Sequence, residues 1–570
     1  MTKRLAHIIL GIILVIGLVV RLIYLHQVAG YPNFTVPYAG LDAALYHGLA
    51  KKLASGDLSL GNEVYHYSPL YAYFLGGLYA LFGDSHWVAP LSNVGLGVLT
   101  IVLVYLFSLR FFRSTAIALI AALGTALYGP FLVFDTSSLK RTFGLFLAAA
   151  SLYLVSRANE KRGAIPWLYT GLVLGLALNM NGQLSLFVIG LSLWLLFRKY
   201  DESSQVANPP SLETLPRRLS RVGCLLLGIF LTILPFTIRN YLVAGDIVLT
   251  SSSGGIHFYI GNHEGAWGGY TRVKGIRPNP AGHFYDARRL AQKKVGHPLR
   301  ASQVSSFWED RVMEFIKKNP GAFLRLLGKK TLLLFNRYEI PNNEDYQYLT
   351  HLSPFLSFFP GYGFLLPFGL SGLLMALPDF RRLAPLYIFF FSFSLGVIVS
   401  IVTWRYRLPL TLVLWPFAAF FVVKIGEWAI KRQFVPLILS GLFLLGSWSL
   451  ARAPLVSENQ REKSMRQAEG KMKASEREKH LLSEIRSDPG VPPNKKSALW
   501  LELAELRRKQ QDIEGAVELL RQALAENPNQ PRLWQNLAAT LSRLGDEQAA
   551  REAQENFKKY KFAYPPAKPR

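Results

Sequence analysis

The sequence predicts an all-α polytopic membrane protein of about eleven transmembrane helices, with a mixed outer-face segment and a C-terminal α-solenoid. Three observations predict it. Of 570 residues 51% are hydrophobic, and through residues 1–450 they gather into runs about as long as the roughly 20 residues that cross a bilayer. The short loops between alternate runs are basic. Residues 494–570 repeat with a spacing of 34.

The expected spans are 5–25, 88–109, 115–134, 139–156, 165–181, 184–197, 222–238, 353–376, 383–402, 408–424 and 434–450. The first follows MTKR and lacks a small-residue cleavage site after its apolar core, so it reads as an uncleaved helix. With the N-terminus inside, the inside segments carry Lys3 and Arg4, Arg110 and Arg113, Arg157, Lys161 and Arg162, Arg198, Lys199, Arg217 and Arg218, Arg381 and Arg382, and Lys431 and Arg432. Basic residues beside spans stay on the cytoplasmic side. The outside face then receives 26–87, a turn near Asp135, the NMNGQ turn, 239–352, the TWRYR turn, and everything after about 451.

Arg405 and Arg407 thus break the charge rule, as outside cations at a membrane boundary. Two readings stand. Each can snorkel to the headgroups, or each can offer phosphate a planar bidentate fork on the outer face. Lys140, Arg141 and Arg239, also outside and beside span ends, would complete an electropositive rim. The net charge of +26 is partly taken up by inside loops, and the remainder suits an anionic membrane surface or a phosphate-bearing lipid rather than nucleic acid. The single cysteine, Cys224, falls in a span and excludes an intrachain disulfide.

The first outer loop carries the candidate chemistry. Its stretch from 41 has helical spacing, which places Asp42, Tyr46 and Leu49 on one face with Asp42 in the first turn. Asp42 is either a helix cap or dipole partner, or a general base that deprotonates a hydroxyl at the membrane surface. Pro69 opens a second, aromatic helix, where its missing N–H is harmless. His66, just before it, is a candidate substrate hydrogen-bonder, as are Tyr46, Asn262 and Asp135. Asp135 also reads as a solvated turn residue. The outside histidines form no H-x-x-x-H pair or zinc spacing, and the glycines of SSSGG, IGN and WGG fit neither phosphate-loop nor dinucleotide fingerprints. No metal ligand and no cofactor is assigned from the residues; a divalent metal stays open.

These residues resemble a family. An aspartate soon after the first span in a D-x-x-x-Y-x-x-x-A frame ending in GD, then HYSPLY and an aromatic helix closing in FG, is similar to GT-C glycosyltransferases. Within them the likeness is to the protein O-mannosyltransferase and lipid A aminoarabinose transferase group, glycosyltransferase family 39 and its relatives. PFTIRNYLVAGDIVLTSSSGGIHFYIGN at 235–262 looks like the strand-rich outer segment of bacterial members. FWEDRVMEFIKKNPGAFLRLLGKKTLLLFNRYEIPNN at 307–343 looks like their helix returning to the membrane, and RYRLPLTLVLWP like their late RY-x-x-P element. The resemblance implies a GT-C fold and transfer of a sugar from a polyprenyl-phosphate donor to a hydroxyl of a protein, lipid or glycan acceptor, with inversion. It implies the non-cytoplasmic face of a bacterial inner membrane, Asp42 as base, and Arg405 with Tyr406 near the lipid phosphate. Many relatives carry Asp-Glu where this chain has Asp42-Ala43, so a role for the second acid is absent here, and Asp135 is the substitute candidate.

The chain divides into 1–450, the membrane glycosyltransferase-like domain with outer loops at about 26–87 and 239–352; 451–493, a charged helical linker; and 494–570, the repeats. Trp500 and Trp534, Leu503 and Leu537, Ala504 and Ala538, Asp512 and Asp546, and Ala516 and Ala550 are each 34 apart. Trp500, Leu503, Ala504, Ala516, Leu520, Ala523 and Pro528 fit the tetratricopeptide frame; in the second unit Gln554 replaces a large apolar residue. Two units are fewer than the usual minimum of about three, so the charged helix, the terminal helix or a protein partner completes the stack. Three readings of the whole remain: a polyprenyl-phosphate-sugar glycosyltransferase, including a lipid-linked-glycan ligase or oligosaccharyltransferase; a non-catalytic membrane scaffold for the repeats; and a transporter, for which no internal symmetry is evident.

Overall fold

The computed structural model describes residues 2–35, 37–38, 41–161, 163–198, 214–487 and 492–563. Arg162 and Lys199, two of the basic residues assigned to inside loops, lie outside them. Among the described residues secondary structure is helical, apart from an isolated bridge between Asn342 and Glu344. A helix stands at each of the eleven expected spans.

Among the described residues seven helical segments are long and apolar enough to cross a bilayer: Lys3–Ala29, Val88–Phe112, Leu215–Ala244, Pro354–Met375, Leu377–Val399, Trp404–Ile430 and Phe434–Arg452. The third expected span is a pair, Thr115–Ala126 and Gly129–Asp135, bent by 57°, with Pro130 near the start of the second piece, where its missing N–H costs no helical bond. Ile165–Met180 and Gly182–Phe197 are apolar but shorter, and Arg141–Asn159 is a helix with a basic first residue.

Two compact units emerge: Met1–Val28, Tyr46–Val273 and Ala287–Met465 form one, and Ala29–Leu45, Lys274–Asp286 and Arg466–Arg570 the other. In the first, Trp404–Ile430 is buried along nearly all of its first 18 residues. Its neighbour Tyr362–Met375 approaches so closely that a side chain at Gly372 would run into the Phe417 backbone. Ile165–Met180 and Leu215–Ala244 meet in the same way, through Gly171 and Gly175 on one helix and Gly228 on the other. Small residues let helix backbones touch where lipid offers no hydrophobic driving force.

The segment 235–262 departs from its strand-rich expectation. Its first ten residues continue the helix to Ala244, and Gly254–Gly261 is a second helix. The backbone between them finds side-chain and loop partners in place of a ladder. Asn240 Nδ2 donates to the Val248 carbonyl at 2.9 Å while its Oδ1 accepts from the Tyr65 amide at 3.1 Å, and the Ser252 amide donates to the Tyr65 carbonyl at 2.9 Å.

Asp135 is neither a solvated turn residue nor a substrate contact. It is buried and pairs with Arg21 of the first helix at 2.8 Å, and it accepts from Thr142 Oγ1 at 2.7 Å. Arg21 also donates to the carbonyls of Gly17 and Ala126, so one guanidinium joins the first helix to both sides of the bent pair.

In the second unit the repeats form helices Pro493–Lys509, Ile513–Glu526, Pro531–Leu544 and Glu547–Ala563. Four of the five pairs spaced by 34 have matching jobs, and in the fifth Trp500 is core while Trp534 packs against it half-buried. Trp500, Leu503, Ala504, Leu537, Ala538, Ala516 and Ala550 are core, while Asp512 and Asp546 accept from the amides of Gly515 and Ala549 at helix starts. Gln554 is exposed. The charged helix Glu458–Ser487 contributes Leu481 and Ile485 to this core, supplying the extra layer that two repeats lack. Lys274–Asp286 joins it as well: Arg277 grips Asp286 and Glu514, and Asn279 donates to the Gln511 carbonyl at 2.8 Å.

Removing one partner of a buried ion pair leaves an uncompensated charge, so Asp135→Ala should destabilise the fold by about 3–5 kcal/mol. Thermal unfolding in detergent reads this as a lowered transition; an unchanged transition would contradict the structural role of the pair.

Candidate active site

The cationic residues singled out in the sequence separate into two groups. Lys140 and Arg141 sit at the start of the Arg141–Asn159 helix. The turn before it is pinned from beneath. Asn93, buried in the Val88–Phe112 helix, donates through Nδ2 to the carbonyls of Ser137 at 2.7 Å and Leu139 at 3.2 Å, and Thr142 is tied to Asp135. Lys140 Nζ lies 5.8 Å from the centre of the Tyr46 ring. Tyr46 is buried on the Asp42–Ala54 helix, edge-on to Tyr71 at 5.2 Å, and its hydroxyl donates to the Ser68 carbonyl at 3.4 Å.

Arg141 and Arg405 meet over one ring. Their guanidinium carbons lie 4.7 and 5.1 Å from the centroid of Tyr406, within the range of cation–π attraction, and Arg405 Nη2 donates to the Tyr406 hydroxyl at 3.4 Å. Tyr270 and Arg272 belong to the same neighbourhood. Burial pushes the Tyr270 hydroxyl above the ordinary tyrosine range, Arg272 opposes that and Tyr406 adds to it. These two were not singled out in the sequence; the one signal is the YTR run in a segment otherwise read for its glycines.

Arg407 turns away from this group and is not a phosphate ligand. It is buried against Glu339 at 2.6 Å, donates to the carbonyls of Asn336 at 2.7 Å and Tyr338 at 2.9 Å, and lies over the Tyr362 ring at 3.9 Å. Residues two apart on a helix face different ways, and the inward direction holds a carboxylate. Arg239 is likewise committed: its fork donates to the carbonyls of Ser59, Gly61 and Glu63, and its carbon lies 4.2 Å from the Tyr65 ring. It shapes the first outer loop instead of joining a cationic rim.

Asn262 is fully buried, with Nδ2 donating to the carbonyls of Phe258 and Val399 and Oδ1 accepting from Lys330 at 2.7 Å, which makes it a brace and removes it from substrate contact. His66 shares a 3.2 Å hydrogen bond with Ser252 and packs on Tyr67, whose ring also meets His257. Asp42 occupies the first turn of its helix, half-buried, four residues before Tyr46. Among the described residues no three His, Cys, Asp or Glu side chains converge as they would around a metal ion.

Residues 66–212 match the family model described as dolichyl-phosphate-mannose-protein mannosyltransferase, and residues 497–541 match a tetratricopeptide repeat model. The class this defines is a polytopic helical membrane protein with a segment similar to that mannosyltransferase family and a C-terminal segment similar to tetratricopeptide repeats. Among solved structures the chain is similar to the oligosaccharyltransferase of Archaeoglobus fulgidus in its apo form. The two share 14% identity at a TM-score of 0.43, over 86% of this chain and 59% of that one, a fit too loose to carry residues across. No curated protein gives a significant match.

The two neighbouring arginines should fail differently. Arg407→Met leaves Glu339 buried without its cation and should lower stability by about 3–5 kcal/mol, whereas Arg405→Met should leave the unfolding transition much closer to that of the unaltered chain. Equal losses in a side-by-side thermal melt would erase the distinction drawn between them.

Proposed function

We propose that the chain is a membrane glycosyltransferase that takes a sugar from a polyprenyl-phosphate donor and passes it, with inversion, to a hydroxyl acceptor on the non-cytoplasmic face. The observation that carries this reading is the pair Arg141 and Arg405 on the Tyr406 ring, in a chain whose residues 66–212 match a mannosyltransferase family. Guanidinium forks match phosphate oxygens in geometry as well as charge. A lipid-linked phosphate presented at a membrane boundary gives a reason for basic residues on the face where they are otherwise rare.

In this reading Asp42 removes the acceptor proton as the hydroxyl attacks the anomeric carbon, the bond from that carbon to the phosphate oxygen breaks, and the lipid phosphate leaves with the electron pair. Arg405, Arg141 and Lys140 stabilise the negative charge that grows on the leaving oxygen, the general role of fixed donors around a departing phosphate. The repeats serve as a docking module for a protein partner.

The chemistry is tested by Asp42→Asn and Arg405→Lys. An amide cannot take the proton, so Asp42→Asn should cost roughly 10²–10⁴-fold in turnover while donor affinity is kept. Lysine keeps the charge without the fork, so Arg405→Lys should weaken donor binding by about 10- to 150-fold. Near-normal turnover in the first variant would leave Asp42 a helix cap, and near-normal affinity in the second would return Arg405 to a headgroup anchor.

Sidedness is tested separately. With eleven crossings the repeats lie on the non-cytoplasmic side, so a cysteine placed at exposed Ser542, with Cys224 changed to serine, should react with an impermeant maleimide from outside. Labelling only after permeabilisation would reverse the topology.

A further inference from the structure

The turn that delivers Arg405 and Tyr406 rests on a buried lysine. Lys330, from the Pro320–Leu334 helix, is fully buried and donates at 2.7 Å both to Asn262 Oδ1 and to the Ser400 carbonyl. Both acceptors are neutral, and burial pushes the ammonium down to about 7. Around it the chain is fixed at residues 399, 400, 402 and 404. Asn262 holds the Val399 carbonyl at 2.8 Å, and Gln183 Nε2 donates to Ser400 Oγ at 3.0 Å. The Val402 amide donates to the Gly268 carbonyl and the Trp404 amide to the Ile340 carbonyl, each at 3.0 Å. The fit is tight: a side chain at Gly261 would collide with the Ser400 carbonyl, and one at Gly268 would run into the Leu333 side chain, one turn from Lys330.

We infer that Lys330 is a positioning residue for the Arg405–Tyr406 pair: by holding Asn262 and Ser400 together it fixes the 399–404 turn, and with it the direction in which the Arg405 guanidinium is presented. A buried cation without a carboxylate partner is costly. Hydrophobic side chains of similar length would fill the same space, so the packing alone does not call for an ammonium. What the ammonium adds is two short donors from one atom, directed at two separate chain segments. This inference rests on the reading of Arg405 as a phosphate ligand.

The test is a double-mutant cycle on the purified full-length chain in nanodiscs. The probe is farnesyl phosphate, a short polyprenyl phosphate, with farnesol as the control for the tail alone. Lys330→Met keeps the length and removes both hydrogen bonds; it should weaken farnesyl phosphate binding by about 10-fold and leave farnesol binding unchanged. Introduced into Arg405→Ala, the same change should cost less than about 2-fold, because the group it positions is gone. Where Lys330→Met fails to give a monodisperse protein, Lys330→Gln, which keeps one donor group, is taken through the same cycle with the same expectation of non-additivity. Equal losses in both backgrounds, or normal binding in the single variant, would overturn the positioning role while leaving Arg405 in place. Normal binding in Arg405→Ala alone would overturn the phosphate reading and the inference together.

Discussion

Two guanidinium groups from the starts of two different helices lie within cation–π range of the Tyr406 ring, and bringing both to it is the constraint that the surrounding turns meet. Like charges held close together repel, and cation–π attraction to one ring, worth about 0.5–2 kcal/mol per contact, does not hold them in place unaided. The scaffold must fix both backbones from which they extend. It does so with buried polar groups on each side. Asn93, Asp135 and Thr142 secure the turn before Arg141, and Asn262, Gln183 and Lys330 secure the turn before Arg405. Neither turn relies on regular secondary structure for its shape. These buried polar residues are spent on the two turns that lead into Arg141 and Arg405.

The remaining buried charges tie helices together. Arg21 with Asp135 and Arg407 with Glu339 are each enclosed in protein, and in a low-dielectric interior an ion pair adds little net stability over an apolar replacement. Their value is in geometry, since the partners fix one mutual arrangement of the elements that carry them. Asp135 shows the economy of this. One oxygen pairs with Arg21 and the other accepts from Thr142, so the first helix and the Lys140–Arg141 turn are fixed relative to each other through a single carboxylate.

The sequence was legible wherever one periodicity dominates. Long apolar runs placed helices at all eleven expected spans, and the spacing of 34 found the buried positions and both capping aspartates of the repeats. Arg141 and Arg405, chosen for charge at span ends, both lie over Tyr406, which entered through the family resemblance. What stayed hidden were directions. Arg21 falls in a run whose average apolarity conceals one inward-facing cation, and Lys330 stands beside exposed Lys329, so the pair reads as surface until the buried face of Leu326, Leu333 and Leu334 is known. Strands were expected at 235–262 from the family resemblance, but a strand needs a neighbour, and Asn240 took that place. The capture of Lys274–Asp286 by the repeats depends on contacts distant in sequence, through Gln511 and Glu514, that no local pattern encodes.

Arginine does three kinds of work in this chain, and the partner decides which. Arg21, Arg407 and Arg277 meet carboxylates, Arg239 meets backbone carbonyls, Arg141 and Arg405 meet the Tyr406 ring, and Arg407 and Arg239 combine their oxygen partners with a ring of their own. A carboxylate or a carbonyl engages the edge of the guanidinium, where its N–H groups lie, and that is the edge a phosphate needs. A ring engages the face and orients the group without occupying that edge. Tyr406 thus orients two arginines through its ring, and Arg405 Nη2 also donates to its hydroxyl. Arg407 and Arg239, as basic and as near to span ends, hold carboxylate and carbonyl oxygens along that edge.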